Sequence, residues 1–141
     1  MELKYDKNKI IKLSSEIYNS LEKLKEIQRL KKNEFTKDPY KIAAAKYFLI
    51  VAIEAAIDMC NHIISKNKFR APEDYSDSFR ILNEKKIFKE DFTKKLIEMS
   101  RFRNPLVHIY WDVDEEVIYE IIQTDLKDLK FFIEKFTKCL E

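Results

Sequence analysis

The chain has 141 residues, 45% of them apolar and 37% charged, with a formal net charge of only +2. That is enough for one hydrophobic core and too apolar for a disordered chain, while bulk charge does not announce a nucleic-acid binder. Glycine is absent, which excludes a P-loop and a dinucleotide-binding turn, because both need glycine where the backbone meets phosphate.

Without glycine, helix ends must close on other residues, and Asn33 and Asn67 are candidates. Cys60 and Cys139 have no ligand spacing and read as packing residues of a reduced, cytoplasmic protein. The N-terminal stretch MELKYDKNKI is charged and has no apolar run of a secretory signal. The longest apolar run, Tyr47–Ile53, is far short of the ~20 residues that cross a bilayer.

Ile10, Leu13, Ile17, Leu21, Leu24 and Ile27 recur in steps of three and four, which predicts an amphipathic helix over residues 8–33. Lys12, Glu16, Glu22, Lys23, Lys25 and Glu26 form its wet face. Asp38-Pro39 is a start signal, with an N-cap acid followed by proline at the first helical position. The second helix should run over residues 39–66, and its middle is apolar nearly all round. Such a helix sits at the centre of a bundle or at a subunit interface.

Polar groups on that helix are informative. Glu54, Asp58 and Asn61 share one face by spacing. A bare buried carboxylate is costly, so Glu54 and Asp58 either pair with Lys or Arg of another helix or line a cleft. Residues 67–75, around Pro72, read as a loop. A short helix follows at 75–85, with Phe79 and Leu82 inward. Ile87-Phe88 connect it to a helix carried by Phe92, Leu96 and Met99. Asp114-Glu115-Glu116 opens one long last helix to the end, its acids complementing the helix dipole. No alternating strand pattern or hairpin signal occurs. The sum is an all-α chain of four long helices plus a short one, packed as a bundle.

The richest chemistry lies in RNPLVHIY, residues 103–110. Arg103 offers a planar fork of donors suited to phosphate. His108 titrates near neutral pH and can take or give a proton. Tyr110 adds a phenol that can orient phosphate or bond to His108, and Trp111 an aromatic wall. On an unbroken helix Arg103 and His108 would stand ~140° apart, but Pro105 should end or kink the helix near residues 103–104 and turn them toward one groove. The same residues also suit a plainer role, capping carbonyls or pairing with Asp112 and Asp114. The dispersed His and Cys residues specify no metal, and no cofactor is expected.

The stretch RNPLVHIYWDVD resembles the Arg-x4-6-His signature of the HEPN superfamily, and more closely the Arg-x4-His-x-Tyr pattern of the HepT-like (DUF86) toxin family. Upstream, AIEAAIDMCNHIISKNKFRAPEDYSDSFRILNEKKI resembles that family's second and third helices and their loop, so the likeness covers roughly residues 40–120. It implies an antiparallel HEPN bundle over residues 1–141, and a homodimer or higher homo-oligomer whose motifs meet in a shared cleft. It further implies a metal-independent ribonuclease acting as the toxin of a toxin–antitoxin pair. The antitoxin would be a minimal nucleotidyltransferase that silences the toxin by AMPylating the motif tyrosine. By position, the catalytic residues are Arg103, His108 and Tyr110, the modified residue is Tyr110, and Asn104 is the polar residue after the arginine. Pro105 is not part of the pattern. The alternative is a non-catalytic HEPN module that partners a nucleotidyltransferase or holds a nucleotide.

Overall fold

The computed structural model describes residues 2–108 and 113–140. It is all α-helical, with 77% of the described residues in helices. The helices are α1 (Lys7–Gln28), α2 (Lys32–Thr36), α3 (Pro39–Lys66), α4 (Asp77–Glu84), α5 (Glu90–Ser100), α6 (Arg103–Val107), α7 (Glu115–Thr124) and α8 (Leu126–Leu140).

The start signals work as their chemistry requires. Asp6 accepts from the Asn8 and Lys9 amides (3.0 and 3.3 Å), and Asp38 from those of Tyr40 and Lys41 (3.0 and 3.1 Å). Each carboxylate thus satisfies amides that the first turn leaves without partners. Pro39 stands first in α3, where its missing N–H costs nothing. With no glycine available, two lysines take the left-handed positions after helix ends: Lys68 (φ 54°) follows α3 and Lys86 (φ 64°) follows α4. At both, an amide closes back five residues, Phe69 to the Ile64 carbonyl (3.0 Å) and Ile87 to that of Leu82 (2.9 Å). Asn67 caps the end of α3, its side-chain amide donating to the Ile63 carbonyl (2.9 Å), whereas Asn33 lies inside α2.

Three further boundaries differ from the sequence reading. The first helix stops at Gln28, and a separate turn, α2, buries Phe35 before Asp38 starts α3. The expected single last helix is two, broken at Asp125. There the Thr124 hydroxyl lies 2.8 Å from the Glu120 carbonyl and 2.9 Å from the Asp125 carboxylate. These short polar side chains compete with the helical ladder. The break before the motif falls at Arg101-Phe102 rather than at 103–104, and Pro105 sits inside the first turn of α6. First-turn amides have no intrahelical acceptor, so proline there breaks nothing.

The packing is antiparallel. The Asp6 amide donates to His62 Nε2 (2.8 Å), and the Lys4 amide to Asn67 Oδ1 (2.9 Å). The start of α1 therefore meets the end of α3. At the opposite end Gln28 Nε2 donates to the Ile122 carbonyl and Gln123 Nε2 to that of Gln28 (both 3.0 Å). The Tyr5 hydroxyl donates to the Leu140 carbonyl (3.2 Å), bringing the first and last described turns together.

One core joins all of this. All six apolar positions read from the α1 repeat are buried, as are Leu49, Ile53, Ile57 and Met59 of α3. Phe132 of α8 meets the rings of Phe79, Phe88 and Phe136 at 6.3, 5.5 and 5.5 Å between centroids. The N-terminal half of α3 is different: Tyr40 and Tyr47 are 85% and 61% exposed. So α3 is central from Leu49 onward and partly uncovered before it.

Candidate functional site

The site is assembled by three elements. α3 supplies Glu54, α6 begins with Arg103, and the loop between α3 and α4 delivers Tyr75. Arg103 Nε donates to Glu54 Oε1 in a close ion pair, and Nη1 donates to Asn104 Oδ1 (3.0 Å). The guanidinium carbon lies 4.1 Å from the centroid of the Tyr75 ring. Its plane is therefore fixed along one edge by a carboxylate and over one face by an aromatic ring. With the Arg103 side chain only 18% exposed, the cation is held at the wall of the bundle rather than free in solvent.

The loop that carries Tyr75 is braced. Arg70 makes paired bonds to Asp77 (2.7 and 2.9 Å) and to Glu84 (3.1 and 2.8 Å). The buried Asp77 also accepts from the Glu73 amide (2.9 Å). The Arg70 bonds hold the Asp77 carboxyl down at about 2, helped by the Glu73 amide and Arg80 and opposed by burial. The same bonds raise Arg70. Asp74 accepts from the Asp77 amide (2.8 Å) and the Ser76 hydroxyl (3.0 Å), which sets the chain on either side of Tyr75.

His108 closes α6. Its amide donates to the Asn104 carbonyl (3.0 Å), its backbone turns extended, and its side chain is exposed. Arg103 and His108 thus stand at the two ends of one short helix instead of across a proline kink, and the bend expected to join them lies upstream of both. Tyr110, Trp111 and Asp112 lie outside the described residues.

The polar face read on α3 divides. Glu54 reaches Arg103. Asn61 instead accepts from the Ser78 hydroxyl (2.6 Å), tying α3 to α4. Asp58 is exposed and lines an open cavity with Lys9, Asn61 and His62. Partial desolvation and then the Glu54 carboxylate hold the Asp58 carboxyl above its ordinary value, against Lys9. Of the two readings offered for this face, pairing with a cation of another helix or lining a cleft, Glu54 makes the pair with Arg103, while Asp58 and Asn61 do not share that site. The reason is the length of α3, whose one polar stripe passes two different neighbours.

A groove of about 640 Å³ opens between α5, α7 and the start of α8, with Phe102, Met99 and Val117 among its lining. Six acids and three lysines line it. Burial, then the nearby Asp128 and Glu98, push the Asp125 carboxyl up, while Thr124 pulls it down. A surface of this sign repels phosphate, so size does not make this groove the place for a nucleic acid. Cys60 is fully buried, and burial pushes its thiol well up, which leaves it a packing residue.

Tyr75 is the residue that sequence reasoning missed. It ends a loop of charged residues, with no periodic neighbour to mark which element it would meet.

Comparisons with known proteins bear on the family and the fold. The family described as "Ribonuclease HepT-like" matches residues 17–136. The chain is 30% identical over 81 residues to the mRNA nuclease HepT of Shewanella oneidensis, a match spanning 57% of this chain and 61% of that protein. It is 24% identical over 120 residues to the tRNA nuclease HepT of Aphanizomenon flos-aquae, spanning 85% and 82%. Among solved structures, the fold is similar to the tri-AMPylated Shewanella oneidensis HEPN toxin in complex with MNT antitoxin. That likeness has a TM-score of 0.86 at 22% identity, over 94% of this chain and 99% of that one.

Proposed function

The chain belongs to the HepT-like family of the HEPN superfamily, and on that premise we propose that it is a metal-independent ribonuclease, the toxin of a toxin–antitoxin pair. The observation that carries the reading is the Arg103–Glu54 pair at the head of α6, with His108 at the other end of that helix. Arg103 binds the scissile phosphate through its remaining N–H groups and stabilises the charge that builds on the phosphorus oxygens. His108 removes the proton of the ribose 2′-OH. The 2′-oxygen attacks phosphorus, the bond to the 5′-oxygen breaks, and that oxygen takes a proton. The products are a 2′,3′-cyclic phosphate and a 5′-hydroxyl. DNA, which lacks the 2′-OH, is not cut.

A single histidine cannot serve at once as base and acid on opposite sides of one phosphate. A homodimer supplies two, one for each role. The exposed Tyr40 and Tyr47 on α3 support such an assembly, since Tyr47 stands two turns from Glu54 on the same helical face. Tyr110 is the residue on which a partner nucleotidyltransferase would place AMP, the antitoxin silencing the toxin within the cytoplasm. The likeness to an AMPylated toxin held by its antitoxin supports this part of the reading.

The test is cleavage of total RNA and tRNA by purified protein in excess chelator, beside His108→Ala and Arg103→Ala, with intact mass recorded to detect AMP on the protein. Cleavage that survives chelator, leaves cyclic phosphate ends and vanishes in both variants is the expected result. An unmodified, folded protein that cuts nothing would instead be a binding module for a nucleotide or a partner.

A further inference from the structure

Tyr75 has a surface left over. The Arg103 guanidinium covers one side of its ring, yet the residue remains 45% exposed. An aromatic residue 45% exposed, next to an arginine, has the two features by which single-stranded nucleic acids are held: a charge for the backbone and a flat apolar surface for a base. The loop around the ring is unusually well tied for an exposed segment. Arg70 pairs with Asp77 and Glu84 of α4, Asp77 accepts from the Glu73 amide, and Asp74 accepts from the Ser76 hydroxyl and the Asp77 amide and pairs with Arg80. A ring so placed loses little freedom when a ligand arrives.

We propose that Tyr75 and Arg103 form one two-part subsite, in which Arg103 takes a phosphate and the exposed ring of Tyr75 stacks the neighbouring base of a single-stranded RNA. The subsite rests on the ribonuclease reading and deepens it by naming the substrate class. A base in a duplex is already stacked on both faces and is not offered to a side chain, so the subsite selects loops and unpaired strands. It reads no base identity, because every base has a flat face. Tyr75 also restrains the Arg103 plane, and the contact is made by the ring rather than by the hydroxyl. Phenylalanine therefore serves in its place and leucine does not.

The experiment separates the two halves of the subsite. Binding of a short oligouridine, and of an abasic ribose-phosphate strand of the same length, is measured by fluorescence anisotropy. The proteins are His108→Ala, which does not cut, and the same variant carrying Tyr75→Phe, Tyr75→Leu or Arg103→Ala. The parent protein should prefer the strand with bases by about tenfold, the scale of one aromatic stack. Tyr75→Phe should keep that preference and Tyr75→Leu should reduce it almost to one. Arg103→Ala should weaken both strands. A leucine variant that keeps the full preference, or a parent protein that shows none, overturns the subsite. If wild-type protein cuts RNA in parallel, that result leaves the ribonuclease reading standing. If the wild type neither binds nor cuts RNA, both fall. Melting temperatures of the Tyr75 variants should match the parent, since the ring is half exposed.

Discussion

Glu54 of α3 and Arg103 of α6, 49 positions apart in the chain, are joined through the arginine Nε. This contact ties the motif helix to the middle of the central helix. It fixes the guanidinium by its edge, so the planar fork matters as much as the charge. Arg103→Lys keeps the charge and loses the fork, and cleavage should fall about 100-fold. Glu54→Gln keeps an acceptor and loses the charge, and should cost about tenfold. Both side chains are partly exposed, so stability should move by less than about 1 kcal/mol. Rate measurements beside urea melts check the two expectations separately.

His62 accepts a hydrogen bond from the Asp6 amide at 2.8 Å, which requires a neutral ring. Burial, then Lys9 and Lys66, hold its pKa below 6.5, against Asp6. A group lowered on folding contributes stability above its unfolded value and loses it as pH falls through the folded one. The stability should therefore decline as pH drops below about 6.5, and the N-terminal segment should loosen with it. His62→Ala should cost about 1–2 kcal/mol at pH 7.5 and should flatten this part of the pH profile. Urea melts at pH 7.5, 6.5 and 5.5 (roughly one step either side of the ordinary histidine value) test it.

Asp77 is the acid-sensitive point of the loop brace. Its carboxyl sits at about 2, down from 3.8. Its contribution is complete above 3.8 and disappears as pH falls through about 2. Because its partner Arg70 is 43% exposed, the full shift overstates the energy, and about 1–2 kcal/mol is the expected cost of Asp77→Asn at neutral pH. The gap between wild type and variant should close on acidification, which paired urea melts at neutral pH and at about pH 3 would show. An undiminished gap would assign the role to packing instead of charge.

Lys68 and Lys86 carry left-handed backbone without being glycine. A side chain there costs about 1 kcal/mol. Glycine pays more entropy on ordering but escapes this penalty. Lys68→Gly and Lys86→Gly should each stabilise the fold by about 0.5–1 kcal/mol, read as a higher urea midpoint at unchanged slope.

Much of the fold was legible. All six apolar positions of the α1 repeat are buried, because an amphipathic helix that lies along a core writes its contacts as a period. Asp38-Pro39 marked the start of α3 to the residue. The break at Asp125 was not legible, since Leu126 and Leu129 continue the apolar pattern across it and only local hydroxyl and carboxylate bonds interrupt the ladder. Pro105 drew attention to the wrong place, because proline looks the same at a kink and in a first turn. At the site, Glu54 and Asn61 are equivalent by spacing, and what separates them is the neighbour each meets, Arg103 or Ser78. Tyr75 had no sequence signal, as its partner lies 28 positions downstream across two helices.

The bond from the Tyr5 hydroxyl to the Leu140 carbonyl has a topological consequence. The stretch from Tyr5 to Leu140 leaves one place and returns to it, so the order in which its helices are strung becomes separable from how they pack. Joining the two meeting turns by a short linker and opening the chain elsewhere would produce a circular permutant with the same neighbours throughout. The gap between Gln28 and Lys32 is a natural place to cut, because it lies far from Glu54, Tyr75 and Arg103 in sequence and ends two helices already. In such a permutant α1 would follow α8 directly, and the motif helix would keep every support it now has.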